Sequence, residues 1–257
     1  MPVVADFDLA ALNSATKYPS ILTYHELDKR NGGLVEKPTA FSGDVVLTEK
    51  VDGTNARIIT LPGGDFFLGS RDELFYAHGD RVWNARHGIV EALRPLAERL
   101  TSPDDEIRVY YLEVFGGNKI SRASGQYTGA QALGRRLFDV SAIDPSILQL
   151  PLPEIASWRY NDGQYFHTEE RLTEIASAEN IDMVPRLGTV RGSDLPTDIV
   201  GMQAFLTQHL ATTLVALDEG AGGNPEGIVL RSTDRSVIAK ARYENYARTL
   251  QLRARKK

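Results

Sequence analysis

Residues 44–69 read DVVLTEKVDGTNARIITLPGGDFFLG, three apolar runs rich in β-branched and aromatic residues broken by two turn signals, and no other stretch constrains the fold as strongly. LPGGD, between the second and third runs, is a hairpin signal. Strands are expected at residues 44–49, 55–61, 66–69, 107–115 and 136–140, and later at 227–231 and 237–240. Helical spacing appears in RVWNARHGIVEALRPLAERL, residues 81–100. There Val82, Ile89, Leu93, Leu96 and Leu100 fall largely on one face and Pro95 can kink the axis. Two further helices are expected over 170–177 and 198–217. Strands dominate the first half, and helices are inserted among them without regular alternation. That pattern predicts an α+β domain of antiparallel sheets flanked by helices.

A chain of 257 residues can bury one large core or two small ones, and a single domain over 1–257 is the expectation. The absence of cysteine excludes disulfides, thiolate metal sites and cysteine nucleophiles. No run of about 18 apolar residues is present and the N-terminus lacks a basic region followed by an apolar core, so a soluble, cytoplasmic protein is expected, with no membrane partner. Formal net charge is -5, yet residues 248–257 form a basic tail carrying Arg248, Arg253, Arg255, Lys256 and Lys257 and no acid. Such a tail can attract phosphate backbones or simply be solvated, and an acidic total does not exclude nucleic acid, because binding follows local charge. The five histidines show no metal-ligand spacing. DEGAGGNPEG, residues 218–227, lacks the Lys-Ser or Lys-Thr that a phosphate-binding loop needs after its last glycine. It reads as a flexible connection into the next strand.

Lys50, in LTEKVDGTNARI, sits two residues before Asp-Gly at the end of an expected strand. Alone, Lys-x-Asp-Gly is weak and describes a solvated lysine. Five further elements follow in order: GSRDELF at 69–75, YLEVFGG at 111–117, RLFDV at 136–140, PEGIVLR at 225–231 and VIAKARY at 237–243. This series resembles the lysine-nucleotidyltransferase superfamily of polynucleotide ligases and RNA capping enzymes, most closely the phage-type RNA ligase 2 family. The likeness starts at KYPSI, residues 17–21, takes in GGNKISRASGQYTG and MVPRLG, and ends near Tyr246. It implies an ATP-grasp-like nucleotidyltransferase domain and an ATP-dependent RNA ligase. Such an enzyme forms lysyl-AMP, passes AMP to a 5'-phosphate RNA end and seals that end to a 3'-hydroxyl.

The chemistry explains why such residues are wanted. A lysine amine at its ordinary pKa of about 10.4 is protonated and non-nucleophilic at neutral pH. Nearby cations and partial desolvation lower that value. Attack on the α-phosphate piles charge on its oxygens, which calls for cations opposite them. Lys240 and Arg242, alternate residues of one expected strand, fit that task. The resemblance assigns the rest: Lys50 as nucleophile with Asp52 in its motif, Glu49 and the adjoining backbone at adenine, Phe138 stacked on the base, and Glu113 on the ribose hydroxyls. Arg71 would bind phosphate or the terminal nucleotide of the acceptor strand. Asn55 would act on metal-bound water or the reacting phosphate, and Glu226 would assist the metal or the later steps. Mg²⁺ is the expected ion, with Mn²⁺ as substitute and Asn55 and Glu226 as its associates through water.

The sequence departs from the family in places. Arg242 stands where the family usually has a second lysine, keeping charge but not the ability to exchange a proton. Asp52 agrees with the wider superfamily, whereas the phage prototype has histidine there. Only eleven residues follow Tyr246, so no accessory C-terminal domain or OB-fold is expected. RNA with 5'-phosphate and 3'-hydroxyl ends, including nicked duplex or RNA/DNA hybrid, is the expected partner, and an accessory protein the expected source of extra RNA binding. Lys119, Arg122, Arg135 and Arg136 are candidates for phosphate-backbone contacts. Two alternatives stand beside the ligase: a DNA nick ligase or GTP-dependent capping-type enzyme, and a non-catalytic nucleotide- or RNA-binding module of the same fold.

Overall fold

A computed structural model describes residues 8–77, 88–103, 105–117 and 124–255. The chain divides into two compact units, one of residues 1–19, 53–122 and 133–183, the other of residues 20–52, 123–132 and 184–257. The chain passes from the second unit to the first between Asp52 and Gly53, directly after Lys50.

The second unit is built on a five-stranded sheet in the order β1-β13-β12-β4-β11, with β1 Leu22–Thr23, β4 Asp44–Lys50, β11 Arg186–Arg191, β12 Gly227–Ser232 and β13 Ile238–Arg242. All its pairs are antiparallel except β1 with β13. A two-stranded hairpin, β2 His25–Leu27 and β3 Leu34–Pro38, belongs to the same unit. Alternation in β4 sends Val45 and Leu47 to one face, where they meet Ile228, Leu230, Ala239 and Ala241 in a core with Ile199, Met202 and Leu206. Those last three come from helix α5, Ile199–His209; Tyr246 of α6, Tyr243–Ala254, joins the same core. Each fully buried aliphatic side chain contributes roughly 1.5–3 kcal/mol, which holds this face of the sheet covered and leaves the face bearing Lys50 for polar side chains.

The first unit carries a six-stranded sheet in the order β10-β9-β8-β5-β6-β7, built from β5 Thr54–Thr60, β6 Phe66–Ser70, β7 Leu74–Ala77, β8 Ile107–Gly116, β9 Leu133–Ile143 and β10 Tyr165–Phe166. Its pairs are all antiparallel. Ala56 and Ile58 of β5 and Tyr110, Leu112 and Val114 of β8 pack against α2, Ile89–Ala97, and α4, Glu169–Ala178. Helix α3, Leu152–Tyr160, packs with α1, Leu9–Ala15, in a smaller cluster. The fully buried Arg57 of β5 donates to the Asn13 side chain of α1, and burial lowers its guanidinium pKa to about 10. The hairpin between β5 and β6 closes through Gly63 and Gly64, both at φ 93°, as LPGGD implies.

The antiparallel α+β expectation holds, and each expected strand lies within two or three residues of an observed one. Several expectations need correction. The helix expected over 198–217 ends at His209, because Thr213 and Leu214 are drawn away to bind the Glu49 carboxylate. The helix expected over 81–100 is observed as Ile89–Ala97; residues 81–87, including Val82, lie outside the described set, as do Lys119, Arg122, Lys256 and Lys257. Arg248 and Arg253 lie on α6, and Arg253 pairs with Glu36 at 2.7 Å. Residues 218–223 are not a loose connection. Gly222 and Gly223 N–H donate to Gln126 O, and a Cβ on Gly220 would stand 2.7 Å from the Gly129 Cα, so glycine here permits contact between two backbones. Among the described residues no helix is long and apolar enough to cross a membrane.

Candidate active site

Register places the charged residues of the second unit. Gly227 of β12 lies opposite Lys50 on one side and Arg242 on the other, and Val229 lies opposite Thr48 and Lys240. Residues in one rung of a sheet share a face, so Lys50, Val229, Lys240 and Arg242 project together, on the face away from the α5 core. Arg186, opposite Thr48, joins them at a bulge in β11.

Glu226 precedes this rung, its carbonyl fixed by the Tyr243 N–H at 3.0 Å. Its Oε2 lies 2.5 Å from Lys50 Nζ and its Oε1 2.6 Å from Arg242 Nε. One carboxylate thus holds both cations, and all three side chains are at least half-buried. Charge-assisted contacts of this length both orient the lysine and offer its proton an acceptor. Burial, reinforced by Glu226, raises the Asp52 carboxyl above the usual range, against the pull of Lys50 and Arg242.

Glu49 occupies the opposite pleat. It is 1% exposed, and its carboxylate accepts from the Thr213 hydroxyl and from Leu214 N–H at 2.8 Å. Burial raises its pKa, opposed by those two bonds. The Glu49 carboxylate therefore anchors residues 213–214 to the strand that carries Lys50. Thr213 and Val229 carried no signal in the sequence: one lies in an expected helix, the other in a run that reads as core.

The remaining candidates belong to the first unit. Asn55 of β5, Glu113 of β8 and Arg136 of β9 form one rung. Glu113 Oε1 accepts the Gly53 N–H at 3.1 Å, which ties the residue after the Lys-x-Asp segment to the rung. Asn55 Oδ1 is buried and has no hydrogen-bond partner among the described residues, a state that a ligand or water normally relieves. Asn55 and Arg71 line a cavity of about 480 Å³ with Ser70, Asp72, Phe75 and Ile89, and Arg71 N–H donates to Asn55 O at 3.0 Å. Phe138 is the extra residue of a β-bulge, since Leu137 pairs with Leu112 and Asp139 with Tyr111. Bulges re-aim side chains, and this one sets Phe138 edge-on to Tyr18 at 5.0 Å, half-exposed. Arg135 donates to Ala92 O at 2.9 Å and Arg136 pairs with Asp182 at 3.1 Å, so both have structural partners within the unit.

The segments 126–130 and 217–223 are clasped by Asp218, whose carboxylate accepts from the Thr128 hydroxyl and from Gly129, Ala130 and Gly220 N–H. These bonds, led by Thr128, lower its pKa from 3.8 to about 2. A depressed folded value means stabilisation that is complete above the unfolded pKa and lost as pH falls through the folded one. Asp218→Asn will therefore melt below the parent at pH 7, and the gap will shrink between pH 4 and pH 2 in thermal scans. A gap independent of pH would show that the charge has no part in the clasp.

The fold is shared with known ligases. Naegleria gruberi RNA ligase with PPi aligns at a TM-score of 0.53 and 14% identity, covering 91% of this chain and 64% of that one. A mutant of the same enzyme with ATP and Mn gives 0.52 and 13%, covering 96% and 63%. An archaeal ATP-dependent RNA ligase gives 0.54 and 15%, covering 90% and 49%. The chain thus spans less than two thirds of the length of these structures, and at such identities the likeness is one of fold. No curated protein matches it in sequence. The RNA ligase family profile, however, matches residues 43–242, from the start of β4 through Arg242, and the chain belongs to the RNA ligase family.

Proposed function

We propose that the chain is an ATP-dependent RNA ligase resembling the phage-type RNA ligase 2 enzymes, with residues 1–257 acting as a nucleotidyltransferase domain through a lysyl-AMP intermediate. The observation that carries this reading is the Lys50 amine held 2.5 Å from Glu226 on a sheet face shared with Lys240 and Arg242.

Lys50 passes its proton to Glu226, and the freed amine attacks the α-phosphate of ATP in line. The N–P bond forms, the bond from the α-phosphorus to the bridging oxygen breaks, pyrophosphate leaves, and the second proton passes from the nitrogen to solvent water. Lys240 and Arg242 stand opposite the charge that grows on the α-phosphate oxygens. Val229, half-buried between polar neighbours, offers an apolar seat to a flat base. The resemblance gives Glu113 the ribose hydroxyls, Phe138 the stacking on the base, and Arg71 phosphate or the terminal nucleotide of the acceptor strand. AMP then passes from Lys50 to the 5'-phosphate of an RNA end, and a 3'-hydroxyl attacks that activated phosphate and releases AMP.

Among the described residues no cluster of three or more metal-ligating side chains exists. The resemblance makes Asn55 and Glu226 associates, through water, of an ion that keeps most of its waters, Mg²⁺ or Mn²⁺, and Asn55 Oδ1, without a partner among the described residues, can accept from such a water. Such an ion supplies neutralisation of triphosphate charge.

An end-joining panel tests the reading: 5'-phosphorylated RNA and DNA strands with 3'-hydroxyl acceptors, nicked and single-stranded, with ATP or GTP. RNA joining with ATP is expected. Preference for GTP, or sealing of DNA alone, would favour a capping-type or DNA ligase, and nucleotide binding without any joining or adduct would favour a non-catalytic module.

A further inference from the structure

Lys50 is flanked by two residues that are each tied to the same substructure. On its N-terminal side the Glu49 carboxylate holds Thr213 and Leu214. On its C-terminal side the Asp52 N–H donates to the Tyr127 hydroxyl at 2.7 Å. The two ties converge. Thr213 N–H donates to Gly223 O at 3.1 Å, Gly223 N–H donates to Gln126 O at 3.2 Å, and Leu217 N–H donates to Tyr127 O at 2.8 Å. Asp218 then locks the residues that follow Tyr127 through Thr128, Gly129 and Ala130. A closed loop of hydrogen bonds therefore runs from Glu49 through 213, 223, 126 and 127 to Asp52, with Lys50 and Val51 as its open span. Tyr127 is fully buried, as is expected of a ring placed to present one hydroxyl rather than to contact a substrate.

A lysine has four rotatable bonds, and a nucleophile must be held in a near-attack geometry for its reaction to gain from proximity. The Glu226 contact fixes the amine end. Without the backbone tie at Asp52, residues 51–52 could rotate and the Lys50 Cα would wander. We propose that Tyr127 is a positioning residue for Lys50: its hydroxyl, braced by the Asp218 clasp, fixes the backbone after the nucleophile and so sets the rate of adenylylation. This rests on the proposal that Lys50 is charged with AMP, and it adds a residue that acts on the nucleophile through the backbone of Asp52.

The test is single-turnover labelling with α-labelled ATP across a range of ATP concentrations, on the parent, Tyr127→Phe and Asp218→Asn. Tyr127→Phe keeps the ring and removes only the hydroxyl. The expected result is a labelling rate at saturating ATP about tenfold lower, with half-saturation unchanged within twofold. A purely structural role would lower the melting temperature and the labelled fraction without lowering the rate of the folded molecules. Asp218→Asn is expected to slow labelling about threefold, and the double variant to be no slower than Tyr127→Phe alone, since both act through one tie. If Tyr127→Phe does not fold, Asp218→Asn carries the same rate test. Parental rates in the folded variants, or a changed half-saturation with an unchanged rate, would overturn the proposal. A parent that takes up no label at all would instead defeat the underlying ligase reading.

Discussion

Lys50→Ala will lose covalent labelling by α-labelled ATP by roughly 10³-fold or more, the scale expected when a nucleophile is removed. Among the described residues of this sheet no neighbouring group takes its place: Lys240 is two strands away in the sheet order and Arg242 has no nucleophilic nitrogen at neutral pH. The substitution will cost little stability, because Glu226 keeps its second partner, Arg242, at 2.6 Å and is not left as a lone half-buried charge. Joining of 5'-phosphorylated RNA will fall with the labelling. Joining of a strand already carrying AMP on its 5'-phosphate will persist within about tenfold, since in the proposed pathway the amine acts before that step. Equal loss with both strands would place Lys50 in phosphodiester formation rather than in charging.

Gly227→Ala will have the second-largest effect, on a residue with no functional group. Gly227 faces Lys50 and Arg242 across the ladder at once. A Cβ there would collide with the Ala241 carbonyl and stand 2.8 Å from the Arg242 Cα, both backbone atoms of β13 that cannot swing aside. The strand bearing Lys240 and Arg242 must then move away from β12, and Arg242 from Glu226. A destabilisation of about 1–3 kcal/mol is expected from the overpacking. A displacement of about 1 Å at the reacting groups costs roughly 10²-fold in rate. Chemical denaturation and single-turnover labelling measure the two separately, and parental values in both would show that the rung tolerates a side chain.

The strands were legible because their pattern is local. The apolar runs in 44–50, 54–60 and 107–116 are nearly continuous and mostly buried, and turn glycines mark the ends. Helix α6 was not, since YENYARTLQLRA is mostly polar and its packing through Tyr246 depends on a core assembled from residues 24–241. The helix expected over 198–217 failed for a different reason: a tertiary hydrogen bond from 213–214 to Glu49 outweighs the propensity to continue. The candidate residues themselves stood out as an ordered set, yet their orientation did not. Nothing in TEK says that Glu49 turns inward while Lys50 turns outward onto a shared rung with Arg242, beyond the period of two that any strand has. Phe138 could be read as a strand residue but not as a bulge, because register is a property of two strands. Tyr127 lies in the QYTG segment without a role visible in the sequence, since its contact with Asp52 spans 75 residues.

The most direct measurement of the central claim is site mapping of the adduct. The protein is incubated with ATP and Mg²⁺, quenched in alkali to spare a phosphoramidate, digested, and its peptides sequenced by tandem mass spectrometry. One AMP is expected, on the side-chain nitrogen of Lys50. AMP on any other residue, or an unmodified Lys50 in protein that joins RNA ends, would contradict it.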